Sequence, residues 1–220
     1  MKRFFLLIVV CSLSLSDLDA AVVNGKVMFL TKRGQKPVVN ETLVWLDALG
    51  RAPKRPASAF TMTTRSKTFL PHVLAVPAGS TVNFPNEDPI SHNLFSLTPG
   101  NTFDLGLYRK GPGKPHKFVA PGVVNVYCNI HPNMSAVVHV MGTPYYGFAD
   151  ANGDYSFDVP PGKYRVTAWN EQGGSATMDI DVAGAEKATG LPLLTIDGRN
   201  ARAVQHKNKF GQAYKAPKDY

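Results

Sequence analysis

The chain has 220 residues, which is enough to bury one large or two small hydrophobic cores without disulfide bonds. Charged residues make up 18% and hydrophobic residues 44%, a composition that excludes a wholly disordered chain. The two cysteines are too few for a disulfide framework. The net charge of +8 is not concentrated in one aromatic-rich segment, so we expect no nucleic-acid ligand.

The first 21 residues have the organisation of a secretory signal peptide. Lys2 and Arg3 precede an apolar run over residues 4–15, and small residues follow. The run is shorter than the roughly 20 residues that a membrane-spanning helix needs, and no later segment approaches that length. We therefore expect residues 1–21 to be removed, and the mature protein to be periplasmic without a transmembrane segment. A lipid-anchored start at Cys11 is the alternative.

Apolar residues alternate with a period of two along most of the remaining chain, which predicts an all-β protein. We expect a β-sandwich domain over residues 22–142, a smaller β-sandwich over 143–196 and a basic tail over 197–220. The strands predicted for the first domain are 22–30, 43–46, 60–64, 72–76, 81–84, 93–97, 117–120, 123–127 and 136–141. Those predicted for the second are 146–149, 155–159, 163–169 and 177–182.

The C-terminal tail differs in charge from the module before it. Residues 143–198 contain three basic and eight acidic residues, whereas residues 199–220 contain six basic and one acidic. The simplest interpretation is a solvated basic arm. The alternatives are that the tail docks on the acidic module, or that a basic face meets an acidic partner.

The residues most informative about function are Cys128, His131 and Met134, which follow a predicted strand in one short loop. Thiolate, imidazole and thioether groups are soft or borderline metal ligands. Cys128 is also the only cysteine beyond the signal peptide, and a lone thiol in an oxidising compartment suggests a metal-binding role. A second imidazole can come from His92, which opens the strand predicted at 93–97. Two histidines, a thiolate and a weak axial methionine form the ligand set of a blue-copper site.

Each of these ligands also has a structural alternative. Cys128 could be a small buried core residue, Met134 a core or surface residue, and His92 a turn histidine bonded to backbone. His139, on the strand that leaves the loop, is a reserve ligand. Zinc is chemically compatible with the set, but the carboxylate or second thiolate typical of zinc sites is missing.

The pair His92-Asn93 and the motif Cys128-x-x-His131-Pro-x-Met134 resemble the cupredoxins, and the short loop is most similar to that of the amicyanins. The resemblance implies a Greek-key cupredoxin sandwich that holds one copper ion through His92, Cys128, His131 and Met134. It also implies that the Asn93 side chain ties the two ligand loops together. Electrons would then pass through His131 to a protein redox partner.

A broader resemblance covers residues 22–215, which look similar to two-module periplasmic cupredoxins of the methylamine-utilisation type. Residues 144–195 are similar to carboxypeptidase-regulatory-like, Ig-like β-sandwich modules. Single-domain electron carriers have no such module, so the resemblance leaves its role open.

Together these features predict a secreted type 1 copper protein that transfers single electrons between partner proteins. A copper carrier or buffer is one alternative, and a non-redox surface or scaffold module is another. The sequence contains no hydrolase, metalloprotease or phosphate-loop motif, so we expect no enzyme activity. The sequence is compatible with a monomer.

Overall fold

The computed structural model describes residues 20–33, 35, 39–50, 53–183, 189–190, 193–201 and 206–214. Most of the expected signal peptide, including Cys11, lies outside the described residues, whereas Ala21 already begins the first strand. Within the described ranges, no helix has the length and hydropathy to cross a membrane.

The described residues form strands and one short 3-10 helix at Val39–Glu41, so the all-β prediction is confirmed. The strands are β1 (Ala21–Leu30), β2 (Leu43–Ala48), β3 (Ala59–Thr61), β4 (Thr63–Arg65), β5 (Thr68–Leu70), β6 (Val73–Pro77), β7 (Thr81–Asn86), β8 (His92–Ser96), β9 (Phe103–Tyr108), β10 (Gly111–Lys117), β11 (Gly122–Cys128), β12 (Ser135–Met141), β13 (Tyr145–Phe148), β14 (Asp154–Val159), β15 (Gly162–Asn170), β16 (Gly174–Val182), β17 (Thr189–Gly190) and β18 (Leu194–Asp197).

Strands β3 to β12 form the first of two β-sandwiches. One sheet has the order β10-β7-β4-β5, with β3 also beside β7, and the other has the order β6-β12-β11-β8-β9. The two sheets enclose one apolar core, in which Phe69, Phe84 and Phe118 are fully buried. Alternating apolar residues supply this core because successive side chains of a strand point to opposite faces. We call residues 59–141 the first sandwich.

The second sandwich is built from strands that precede and strands that follow the first sandwich in the sequence. Its sheets have the orders β14-β1-β17, with β18 also beside β1, and β13-β2-β15-β16. Strand β1 pairs with β14, and β2 pairs with β13 and β15. The structure therefore differs from the expected division, in which residues 22–142 formed one domain. Alternation identified these two strands correctly, but it carries no information about their pairing partners.

The two sandwiches meet in a small buried cluster. Leu43 of the second sandwich lies there with Ala75 and Met141 of the first. A second contact joins the two sandwiches: Nε2 of His72 lies 2.5 Å from a carboxylate oxygen of Glu171, which lies in the turn between β15 and β16. This hydrogen bond raises the pKa of His72, although its burial opposes the change.

Candidate metal site

The pairing of two strands brings His92 and Cys128 together. Strands β8 and β11 are antiparallel, and Leu94 lies opposite Cys128. The end of β11 is therefore beside the start of β8, where His92 lies. Residues two apart share a face of a strand, so His92 and Leu94 lie on the same face of the sheet, and Cys128, opposite Leu94, lies on that face too. The side chains of His92, Leu94 and Cys128 therefore point into the first sandwich. His92 and Cys128 are both fully buried.

The loop between β11 and β12 places the remaining candidate ligands. The N–H of Cys128 donates to the carbonyl of Met134, and the N–H of Met134 donates to the carbonyl of His131, both at 3.1 Å. These bonds fold the loop back on itself. Met134 is buried in the same core cluster as Cys128, whereas His131 remains partly exposed.

Three potential donor atoms converge at this end of the sandwich. Sγ of Cys128 lies 3.8 Å from Nδ1 of His92 and 3.6 Å from Nδ1 of His131. The three ligand atoms lie within 4.8 Å of one another. Donors that share one metal at about 2.0–2.3 Å lie roughly 3 to 4 Å apart, as the sulfur does from both nitrogens. Burial and the neighbouring His92 hold the pKa of His131 below its ordinary value, which favours an unprotonated nitrogen.

Asp88 orients the imidazole of His92. Its Oδ2 lies 2.9 Å from Nε2 of His92. The backbone N–H groups of Ser66 and Lys67 donate to the same carboxylate at 2.5 and 2.9 Å. Burial of Asp88 opposes ionisation, but these three partners outweigh it and hold the pKa of the carboxyl below its ordinary value. A carboxylate that accepts the proton on Nε2 leaves Nδ1 free to bind a metal.

Sequence reasoning missed Asp88. The only signal was its position four residues before His92, in a polar stretch between two predicted strands. Such a spacing is common in turns and does not by itself indicate a contact. The two backbone donors that anchor the carboxylate come from another turn, 21 and 22 residues away.

Asn93 connects the two ligand-bearing segments, but through its backbone. Its carbonyl accepts a hydrogen bond from the N–H of Asn129 at 3.0 Å. Its side chain, for which this role was expected, donates instead to Asp104 at 2.6 Å. The backbone can make the connection because β8 and β11 are adjacent in the sheet.

Part of the C-terminal tail packs beside the ligand loop. Within the segment 206–214, the hydroxyl of Tyr214 donates to the carbonyl of Cys128 at 2.7 Å. Nζ of Lys209 lies 2.6 Å from a carboxylate oxygen of Asp104. These contacts lie on the first sandwich, so this segment differs both from a solvated arm and from a tail docked on the acidic module.

His139, the reserve ligand, lies away from the converging donors. Its ring centroid is 4.9 Å from that of Trp45 and 5.6 Å from that of Trp169, at the junction of the two sandwiches. Burial lowers its pKa to about 4, so the ring is neutral at pH 7. His139 therefore has a packing role in the structure.

Solved structures similar to part of this chain include cupredoxins. A purple cupredoxin from Nitrosopumilus maritimus is 26% identical, covers 37% of this chain and 98% of its own, and has a TM-score of 0.33. A reduced, Cu(I) form of an amicyanin variant is 21% identical, with coverages of 38% and 82% and a TM-score of 0.36. A pseudoazurin from Sinorhizobium is 19% identical, with coverages of 40% and 76% and a TM-score of 0.31. No protein-family model and no curated protein sequence matches the chain.

Proposed function

We propose that this protein is a type 1 copper protein that transfers single electrons. The observation that carries the proposal is that ligand atoms of His92, His131 and Cys128 lie within 4.8 Å of one another, with Nδ1 of each ring within 3.8 Å of the sulfur. Two imidazoles and a thiolate form the equatorial set of such sites, and Met134, buried beside Cys128, is the proposed axial ligand. A single copper ion held there would supply a Cu(II)/Cu(I) couple.

The chemistry of the donors favours copper over other metals. Thiolate sulfur suits Cu(I), and imidazole nitrogen suits copper in both oxidation states. The carboxylate of Asp88 is hydrogen-bonded to His92 and to backbone N–H groups, which gives it an orienting role. The three converging atoms are therefore two nitrogens and one sulfur, without the carboxylate or second thiolate usual at zinc sites.

The fold restrains the ligands in a way that suits electron transfer. His92 and Cys128 lie on paired strands, and two backbone hydrogen bonds close the loop that carries His131 and Met134. Close-packed interiors resist displacement of their side chains. Ligands held in this way change position little between oxidation states, which keeps the reorganisation on electron transfer small.

His131 is the proposed point of electron exchange. It is the partly exposed member of the converging set, whereas His92 and Cys128 are fully buried. The same burial of two donors opposes rapid exchange of a bound metal, so it favours an electron carrier over a copper buffer. We propose that the protein works in the periplasm with a protein redox partner, in keeping with the signal peptide predicted from the sequence.

Voltammetry and chelator competition on the copper-loaded protein test this proposal. We expect a reversible one-electron response, and slow loss of copper to a chelator in both oxidation states. The His131→Gln variant should lose the reversible response, whereas His116→Gln, which changes a histidine of β10 outside the donor set, should keep it. Rapid loss of copper without a reversible response would instead identify a copper carrier.

A further inference from the structure

We propose that residues 206–214 act as a C-terminal clamp, with Lys209 and Tyr214 as positioning residues for both segments that carry the buried ligands. The proposal rests on the copper site proposed above and deepens it. Three sets of contacts support it, and each joins the clamp to strands β8 and β11 of the first sandwich or to residues that follow them.

The first contact is made to the backbone of a ligand. The Tyr214 hydroxyl donates to the carbonyl oxygen of Cys128 at 2.7 Å, across 86 residues of chain. The Cys128 side chain is held from inside by the core, since its residue is fully buried. Tyr214 holds the same residue through its backbone. Cys128 is therefore restrained through both its buried side chain and its carbonyl group.

The second set of contacts forms a closed ring of hydrogen bonds. The N–H of Lys209 donates to Oδ1 of Asn129 at 2.9 Å, and Nζ of Lys209 lies 2.6 Å from Oδ2 of Asp104. Asp104 accepts a hydrogen bond from the side chain of Asn93 at 2.6 Å, and the Asn93 carbonyl accepts one from the N–H of Asn129. Asn93 follows one ligand and Asn129 follows the other, so Lys209 bridges both segments.

The third set of contacts is aromatic. The ring of His206 stacks on Tyr127, with centroids 4.3 Å apart and planes 14° apart. Tyr127 lies opposite Phe95 in the β8–β11 pair, and the Phe95 ring is 6.4 Å from that of His206. The Tyr214 ring meets His206 edge-on at 5.3 Å. This packing covers the outer face of the two strands whose inner face carries the ligands.

The clamp also has an ordered turn between its two positioning residues. The side chain of Asn208 accepts hydrogen bonds from the N–H groups of Phe210 and Gln212, both at 3.0 Å. Gly211 has a φ of 75°, a conformation that glycine adopts without steric cost. This turn sets the spacing between Lys209 and Tyr214.

Amide hydrogen exchange of the metal-free, full-length protein tests the clamp. The reporters are the N–H groups of Cys128 and Asn129, which donate to the carbonyls of Met134 and Asn93. The double variant Lys209→Ala/Tyr214→Phe removes the Nζ contact to Asp104 and the hydroxyl contact to Cys128. We expect both amides to exchange about three- to tenfold faster, the effect of losing about one net hydrogen bond beside each. Amides of β15 and β16 should keep their rates.

Lys207→Ala is the matched control, because it removes the same charge from an exposed neighbouring position. Tyr214→Phe alone keeps the aromatic ring, so it separates the effect of the hydrogen bond from that of packing. It also provides a measurement if the double variant does not fold. Equal exchange at Cys128 and Asn129 in the double variant and in Lys207→Ala would overturn the clamp.

Copper loading separates this result from the proposed function. If the wild type binds copper with a blue-copper spectrum but the Cys128 and Asn129 amides of the double variant exchange no faster, the clamp is refuted and the proposed function stands. If these two amides exchange faster in the double variant but the wild type binds no copper, the clamp is supported and the proposed function fails. If both hold, loaded Tyr214→Phe should lose copper to a chelator several-fold faster than Lys207→Ala.

Discussion

The carboxylate of Asp88 lies 2.9 Å from Nε2 of His92, while Nδ1 of the same ring lies 3.8 Å from the sulfur of Cys128. This contact fixes both the orientation of the ring and the position of its proton. The nitrogen that faces the sulfur is thereby left with its lone pair. Partners of this kind are as important to a metal site as the ligands they orient.

Replacing Asp88 should therefore weaken metal binding without removing a ligand. In Asp88→Asn, the amide nitrogen would replace one of two oxygens that now accept hydrogen bonds from Ser66, Lys67 and His92. We expect the copper affinity to fall by about 10- to 100-fold, as measured by competition with a chelator. Glu87→Gln is the control with the same charge change, and an equal affinity in the two variants would contradict the role of Asp88.

Met134 is predicted to tune the reduction potential. A weak axial thioether stabilises Cu(II), so Met134→Leu should keep the blue colour and raise the potential measured by voltammetry. Met62→Leu is the matched control, because Met62 is a buried methionine of the same core cluster. If both variants have the potential of the wild type, Met134 is not a ligand.

His139 should make the folded state sensitive to acid. Burial lowers its pKa from 6.5 to about 4, so the unfolded chain binds the proton more readily than the folded one. Its contribution to stability is complete above pH 6.5 and is lost as the pH falls towards 4. Between pH 7 and pH 4, the free energy of unfolding should therefore fall by about 3 kcal/mol less in His139→Leu than in the wild type. Urea unfolding of the metal-free protein at several pH values measures this difference, and parallel curves would contradict it.

The contact between His72 and Glu171 should have the opposite pH dependence. Glu171 raises the pKa of His72, so the pair stabilises the fold below the unfolded pKa of about 6.5 and loses its effect as the pH rises through the folded value. Glu171→Gln should cost about 1 kcal/mol at pH 6 and less at pH 9 by urea unfolding. Asp179→Asn, which breaks an exposed pair with Arg165, should show no such change between these pH values. An equal cost of Glu171→Gln at both pH values would rule out the His72 pair as its cause.

The local part of the candidate site could be predicted from the sequence. Cys128, His131 and Met134 follow one another in a short loop, and a tight loop keeps such neighbours together whatever surrounds it. His92 was harder to place, because its position beside Cys128 depends on the pairing of β8 with β11. Among the six histidines, choosing one at the start of a strand selected His92, which the structure places beside Cys128.

Contacts between distant segments could not be predicted. Strands β1 and β2 were recognised by their alternation, but their partners lie more than a hundred residues away in the chain. Tyr214 and Lys209 approach the ligand loop across 86 and 80 residues. Charge pattern alone left solvent, the acidic module or an acidic partner open for this tail. Hydrogen bonding and aromatic stacking place residues 206–214 on the first sandwich.

Among the strands that sequence analysis missed, β9 and β10 have local reasons. Strand β9 contains Asp104 and Gly106, which are typical of turns. Strand β10 contains two glycines and two prolines, and only its last residue overlaps the strand predicted at 117–120. Its place at the edge of a sheet explains the prolines, since an edge strand has N–H groups that need not bond to a neighbour.

The most direct test of the central claim is a visible absorption titration of the purified protein with cupric ion. The proposed site predicts an intense thiolate-to-copper charge-transfer band that saturates at one copper per chain and disappears in Cys128→Ser. A wild-type protein that stays colourless after copper addition, or a Cys128→Ser variant that remains blue, would contradict the account.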